Sequence, residues 1–175
     1  MNRLLKRWQR PGLWLAIVAV NTGLLALTVG KDYEPQQAEP EPPERIVQIE
    51  GSTQGELRFE ALDVFVDVGE KSLAAYQLEI EATTDGVEIA GIEGGEHAAF
   101  RKPPYYDPKA MAGNRIILAA FDTGDDLPAG RIRVARIHLQ LQGAGAKKYR
   151  TRLSVAADAD GKPVPAKLQI ERNKA

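Results

Sequence analysis

The 175-residue chain contains no cysteine. That excludes a disulfide framework, a thiolate nucleophile, a cysteine zinc site and any thioether-linked haem or lipid. Imidazole is nearly as scarce, because His97 and His138 are the whole supply. Both tryptophans, Trp8 and Trp14, lie before residue 15, and serine beyond residue 45 is confined to Ser52, Ser72 and Ser154. None of these serines sits in a Gly-x-Ser-x-Gly elbow, so nucleophilic hydrolase chemistry has no foothold. Net charge is low at −1, but unevenly spread. Arg3, Lys6, Arg7 and Arg10 stand among the first twelve residues without an acid, leaving 19 cations against 24 acids, a net of −5, in the rest. A mildly acidic body repels phosphate backbones and argues against nucleic-acid binding.

What the sequence does contain begins with a membrane address. Leu13–Gly30, LWLAIVAVNTGLLALTVG, is an 18-residue uncharged run behind the basic stretch MNRLLKRWQRPG. At about 1.5 Å per residue a helix of this length approaches the roughly 30 Å hydrocarbon core of a bilayer. The four cations ahead of it keep residues 1–12 in the cytoplasm and place everything after Gly30 outside the cytoplasm, periplasmic or extracellular. The run predicts a single-pass transmembrane helix acting as an uncleaved signal anchor. Secretion after signal cleavage at Thr28-Val29-Gly30 is the alternative, and it too exports the body. Residues 31–45, KDYEPQQAEPEPPER, combine Pro35, Pro40, Pro42 and Pro43 with five acids and almost no apolar side chain. Such a segment forms no core and serves as a semi-rigid, extended spacer.

From residue 46 to 175 apolar residues recur at every second position, the pattern of half-buried strands. Leu62, Val64, Val66 and Val68 form one such set, with Phe65 on the opposite phase covering a second apolar surface. Tyr76 to Ala82, Ala135 to Leu141, Tyr149 to Val155 and Val164 to Ile170 form others. Shorter strands fit Ile46 to Glu50, Val87 to Ile92 and Ile116 to Phe121, the last apolar on both faces and therefore expected at the centre of a sheet. Turn sequences such as Asp85-Gly86, Gly94-Gly95, Gly143-Ala144-Gly145 and Asp160-Gly161 separate the runs. The expectation is an all-β fold, an antiparallel β-sandwich of about eight or nine strands, preceded by the N-terminal transmembrane helix.

Several phrases together resemble the cohesin-like modules of the carbohydrate-binding-like β-sandwich superfamily. They are VFVDVGEKSLAAYQLEIEAT at 64–83, VEIAGIEGGE at 87–96, RIILAAF at 115–121 and LPAGRIRVARIHLQL at 127–141. The resemblance implies a nine-stranded jelly roll whose sheet face binds another protein, in the best-known members a small calcium-loaded dockerin. It marks no individual contact residue.

Residues 93–114, EGGEHAAFRKPPYYDPKAMAGN, break the alternation for some twenty positions. Loops of that length inside a compact domain are often functional. Asp107-Pro108-Lys109-Ala110-Met111 predicts one helical turn, with Asp107 as N-cap and Pro108 at the first helical position. Phe100, Arg101, Tyr105, Tyr106 and Asp107 are the candidate binding residues, since Tyr and Arg supply large contact area with polar handles. Either tyrosine is as well suited to capping the end of the sandwich. His97 beside Glu93 and Glu96 makes a minimal metal set, but the flanking glycines favour an ordinary loop. His138 falls on the polar side of a strand and reads as a cross-strand or solvated histidine. Asp158-Ala159-Asp160-Gly161 resembles a calcium loop superficially; the glycine spacing and flanking strands favour a hairpin turn. Acid pairs for glycosidase chemistry have no distinguishing pattern. The reading is a non-enzymatic module without cofactor or metal, mediating protein–protein interaction with another envelope or exported protein. A carbohydrate-binding module is the alternative.

Overall fold

The structure is a computed structural model and describes residues 42–51 and 55–173. The expected membrane helix at 13–30, the basic terminus before it and the spacer up to residue 41 lie outside the described residues. Among those described, no helix is long and apolar enough to cross a membrane.

Eight strands follow in order: β1 (Arg45–Ile49), β2 (Arg58–Ser72), β3 (Ala75–Ala82), β4 (Val87–Gly94), β5 (Arg115–Phe121), β6 (Ala129–Leu141), β7 (Lys147–Ala157) and β8 (Lys167–Arg172). Two short 3-10 turns, Ala98–Phe100 and Pro108–Ala110, lie between β4 and β5. The strands form two four-stranded antiparallel sheets, ordered β1-β7-β3-β5 and β4-β6-β2-β8. The described residues belong to one compact unit, Glu41–Ala175.

Alternation explains the core. Leu62, Val64, Val66 and Val68 of β2 are buried, as are Tyr76, Leu78, Ile80 and Ala82 of β3. They join Ile116 and Leu118 of β5, Ile137 and Leu139 of β6 and Leu168 and Ile170 of β8 in one hydrophobic cluster drawn from both sheets. Burying such side chains contributes about 1.5–3 kcal/mol each, enough to order a cysteine-free chain of this size.

Four details depart from strict alternation. In β6 both Val134 and Ala135 are buried, because a register shift against β2 between Val64 and Phe65 turns two consecutive residues inward. A second irregularity skips Ser154 in β7, so Val155 stands opposite Gln77 and Ala156, rather than Val155, packs against the core. The run from Val164 to Ile170 is not one strand. Val164 donates its N–H to Ala156 O on β7, and Pro165 precedes the switch into β8 of the other sheet. Finally, Phe65 covers no second apolar layer; the Arg131 guanidinium lies 3.5 Å from its ring centroid, a cation–π contact.

The position of β5 corrects the expectation of a central strand. It pairs with β3 on one side and closes the sheet as an edge. Its apolar outer phase, Ile117 and Phe121, is therefore exposed rather than covered.

The outer faces carry charge. Asp63 accepts two bonds from Arg136, at 2.7 and 3.2 Å, and one from Asn173 at 2.8 Å, which ties the end of β8 to β2. Partial burial works to raise the Asp63 pKa, but the bonds from Arg136 and Asn173 and the charges of Arg136 and Arg133 outweigh it and hold the carboxyl below its ordinary value. Glu79 is likewise lowered, chiefly by its hydrogen bond from Arg115, with Arg152 assisting against burial. At one end of the fold, buried Lys147 donates its ammonium to Asp85 O at 2.8 Å and Gln142 O at 2.9 Å, fastening two turns together.

Candidate functional site

The excursion between β4 and β5 is built from close backbone contact. A Cβ on Gly94 would lie 2.0 Å from Arg101 O, and one on Gly95 would lie 2.3 Å from Arg133 O. Glycine is required at both positions for the loop to fold back on the sheet. Gly95 then donates to Phe100 O and Glu96 to Arg133 O. His97 caps the first 3-10 turn, its Nδ1 accepting from Ala99 N at 3.3 Å.

Phe100 drops into the core, 2% exposed, and meets Tyr76 edge to face with centroids 5.3 Å apart. Tyr76 in turn donates its hydroxyl to Val134 O at 3.1 Å. Phe100 thus leaves the set of candidate contact residues: it anchors the loop and presents nothing to a partner. Arg101 and Lys102 follow on the surface, and Pro104 is buried.

Tyr105 extends the first sheet by a single residue. Its N–H donates to Ala119 O at 2.7 Å and its carbonyl accepts from Ala119 N at 3.0 Å. Pro103 and Pro104 before it and Pro108 after it flank this pair, and Pro103, which would stand opposite Phe121, has no N–H for a further ladder bond. The side chain projects outward, 73% exposed, with its ring 6.5 Å from that of Phe121 and 12° from parallel.

The two tyrosines divide the roles considered for them. Tyr106 is half-buried against the core while Tyr105 is free. Asp107 is the N-cap of the second 3-10 turn, accepting from Lys109 N at 3.0 Å, with Pro108 at the expected place. Ala110 and Met111 pack on the core, and Ala112 and Gly113 bond to Ile89 of β4. The loop therefore spans from the edge of β5 to the edge of β4. Arg101, Lys102, Tyr105, Asp107 and Lys109 are among the residues it exposes, and Phe121 and Ile117 of β5 are exposed as well. Phe121 and Ile117 were not singled out by the sequence. Their cue was the uncharged outer phase of RIILAAF, taken there as a mark of centrality.

Elsewhere the polar candidates are spent on structure. His138 Nε2 lies 2.8 Å from Glu93 Oε1, a cross-strand pair. His97 Nε2 faces Asp126 at 3.8 Å, and Glu96 Oε1 accepts from Arg133 N, so His97, Glu93 and Glu96 do not converge. Among the described residues no group of three or more His, Asp or Glu side chains is placed to hold a metal ion. Asp158 Oδ1 accepts from Asp160 N and Lys162 N, which makes that segment a turn.

No family model matches the chain, and neither a curated protein nor a solved structure shows significant similarity to it.

Proposed function

We propose that this chain is a non-enzymatic interaction module: a cohesin-like β-sandwich jelly roll, carried on a single membrane helix and a proline-rich spacer, that binds another envelope or exported protein outside the cytoplasm. The observation that carries the reading is the exposed Tyr105–Phe121 ring pair at the β5 edge. Aromatic rings stacked before binding lose little conformational freedom on contact, and with the exposed Ile117 on the same strand they make an apolar surface suited to an interface centre. The two all-antiparallel sheets sharing one core support the fold half of the proposal.

The test is recovery of membrane complexes with the wild-type chain, Tyr105→Ala and Phe121→Ala. Each variant should lose about 2 kcal/mol of binding, roughly thirtyfold in affinity. Ile46→Ala, an exposed apolar residue on the far edge, should recover partners as wild type does. Equal recovery by all four chains removes the β5 edge from the account. Two near-parallel exposed rings also suit a sugar ring, the second reading; glycan-array binding that is lost in Tyr105→Ala would select it.

A further inference from the structure

The first sheet has a gap on its other side. β1 pairs with β7 from Arg45↔Thr151 to Ile49↔Lys147 and goes no further. At the other end of β7, Ala156 O accepts from Val164 N and Ala157 pairs with Pro163. Between Thr151 and Ala156 no described strand lies on that edge of β7. Pro43, which would stand opposite Leu153 if β1 continued in register, has no N–H to offer. The carbonyl of Lys148 points toward the β3 side, where it accepts from Thr83 N. Strand alternation then turns the N–H and C=O of Leu153 the opposite way, into the gap.

The gap opens on a cleft of about 260 Å³ between this edge and the start of β8, with Pro42 and Pro43 as one wall. Its floor is apolar, formed by Leu153, Ala156, Val164 and Leu168. Arg45 and Lys167 line it as well, no acidic residue does, and neither cation forms an ion pair with a described residue. In a body whose net charge is negative, a cleft lined by two cations with no ion-pair partner among the described residues, and by no acid, is a local reversal.

From these observations we infer that the unfinished edge of β7 is a second docking site, which accepts a short extended segment of a partner protein carrying an apolar residue flanked by acids. The segment adds to β7 as a strand: its backbone bonds Leu153, its apolar side chain fills the cleft, and its carboxylates meet Arg45 and Lys167. Strand addition of this kind draws affinity from main-chain bonds and selectivity from the pocket beneath alternate side chains. The site is independent of the Tyr105–Phe121 edge, which lies across the sheet.

The full-length chain in detergent micelles, titrated with the capped pentapeptide Glu-Thr-Leu-Thr-Glu, tests this by following the amide resonances of Leu153 and Ser154. The expected result is a saturable shift of those amides with slowed hydrogen exchange at Leu153, both absent with a peptide N-methylated at Leu. Replacing both glutamates by lysine should weaken binding at least tenfold, and Arg45→Glu with Lys167→Glu should reverse that preference. Ala166→Leu, which narrows the cleft, should abolish the shift. The proposal is overturned if the N-methylated and lysine peptides bind equally well, if no saturable shift occurs, or if phosphatidylglycerol vesicles perturb these amides and the peptide does not. Tyr105→Ala should leave the titration unchanged, so this site and the aromatic edge fail separately.

Discussion

Phe100 gives the sharpest test of how the 93–114 excursion is held. Phe100→Ala removes a side chain that is 2% exposed and sits edge-on to Tyr76. Buried Phe→Ala changes cost about 3–5 kcal/mol, the spread reflecting how far the site can collapse. Here collapse is restricted. Tyr76 is tied to Val134 O through its hydroxyl, and the loop backbone is pinned by Gly95 N to Phe100 O and by Phe100 N to His97 O. The expected loss is therefore near the middle of that range, about 4 kcal/mol, of which about 1 kcal/mol is the aromatic pair beyond area burial. With a urea slope of about 2 kcal/mol per molar, the unfolding midpoint followed by far-ultraviolet circular dichroism should fall by about 2 M. Phe100→Leu, which keeps most of the volume, should cost less than half as much and preserve partner recovery. A Phe100→Ala loss under about 1 kcal/mol would refute a core anchor and return Phe100 to the contact surface.

Lys147→Met deletes the ammonium shared by Asp85 O and Gln142 O and leaves two carbonyls without that donor; thermal denaturation should show a loss of about 2 kcal/mol. Gly94→Ala places a Cβ 2.0 Å from Arg101 O and forces the loop off the sheet; exchange protection at the Gly95 and Phe100 amides should drop while that of β3 persists. Asp63 and Glu79 both have pKa values lowered by folding. Their contribution is thus fully present above the ordinary carboxylate range of about 4 and is lost as pH falls below it through the depressed folded values. Urea midpoints measured from pH 6 to pH 2 should decline below pH 4, and Asp63→Asn should flatten that decline; an unchanged slope contradicts the assignment.

Much of the fold was legible because strand pleating writes itself into residue type. The set Leu62, Val64, Val66, Val68 needed only period two, and all four are buried. The turn at Asp107-Pro108 was equally plain, since the cap and the proline act within three residues of each other. What escaped were features decided by non-local partners. RIILAAF carries apolar residues on both phases, and composition cannot say whether the outer phase meets another layer or solvent; here it meets Tyr105 and solvent. Skipping Ser154 depends on the register of β7 against β3, so Val155 and Ala156 exchange places with no local cue. At the candidate site the aromatic composition of the loop was legible from its sequence. Which rings it exposes was not readable, because the inward turn of Phe100 and Tyr106 and the outward turn of Tyr105 are fixed by Tyr76 and Ala119, both distant in sequence.

The treatment of sheet edges ties these features together. Unpaired backbone at an edge invites indiscriminate strand addition, and folded chains blunt it with prolines, short strands, inward-pointing charge or covering loops. Three such devices are visible here. The β5 edge ends in Tyr105 between prolines, the β4 edge is bonded by Ala112 and Gly113, and β8 is six residues long with Arg172 turned inward onto Glu60 at 2.9 Å. The fourth edge strand, β1, is five residues long and covers only Lys147–Thr151 of β7. At β7 the chain instead stops β1 at Arg45, places two prolines beyond it, and leaves Leu153 facing a cationic, apolar cleft. This uncovered stretch is where the proposed acidic segment pairs, with selectivity drawn from the cleft beneath Leu153.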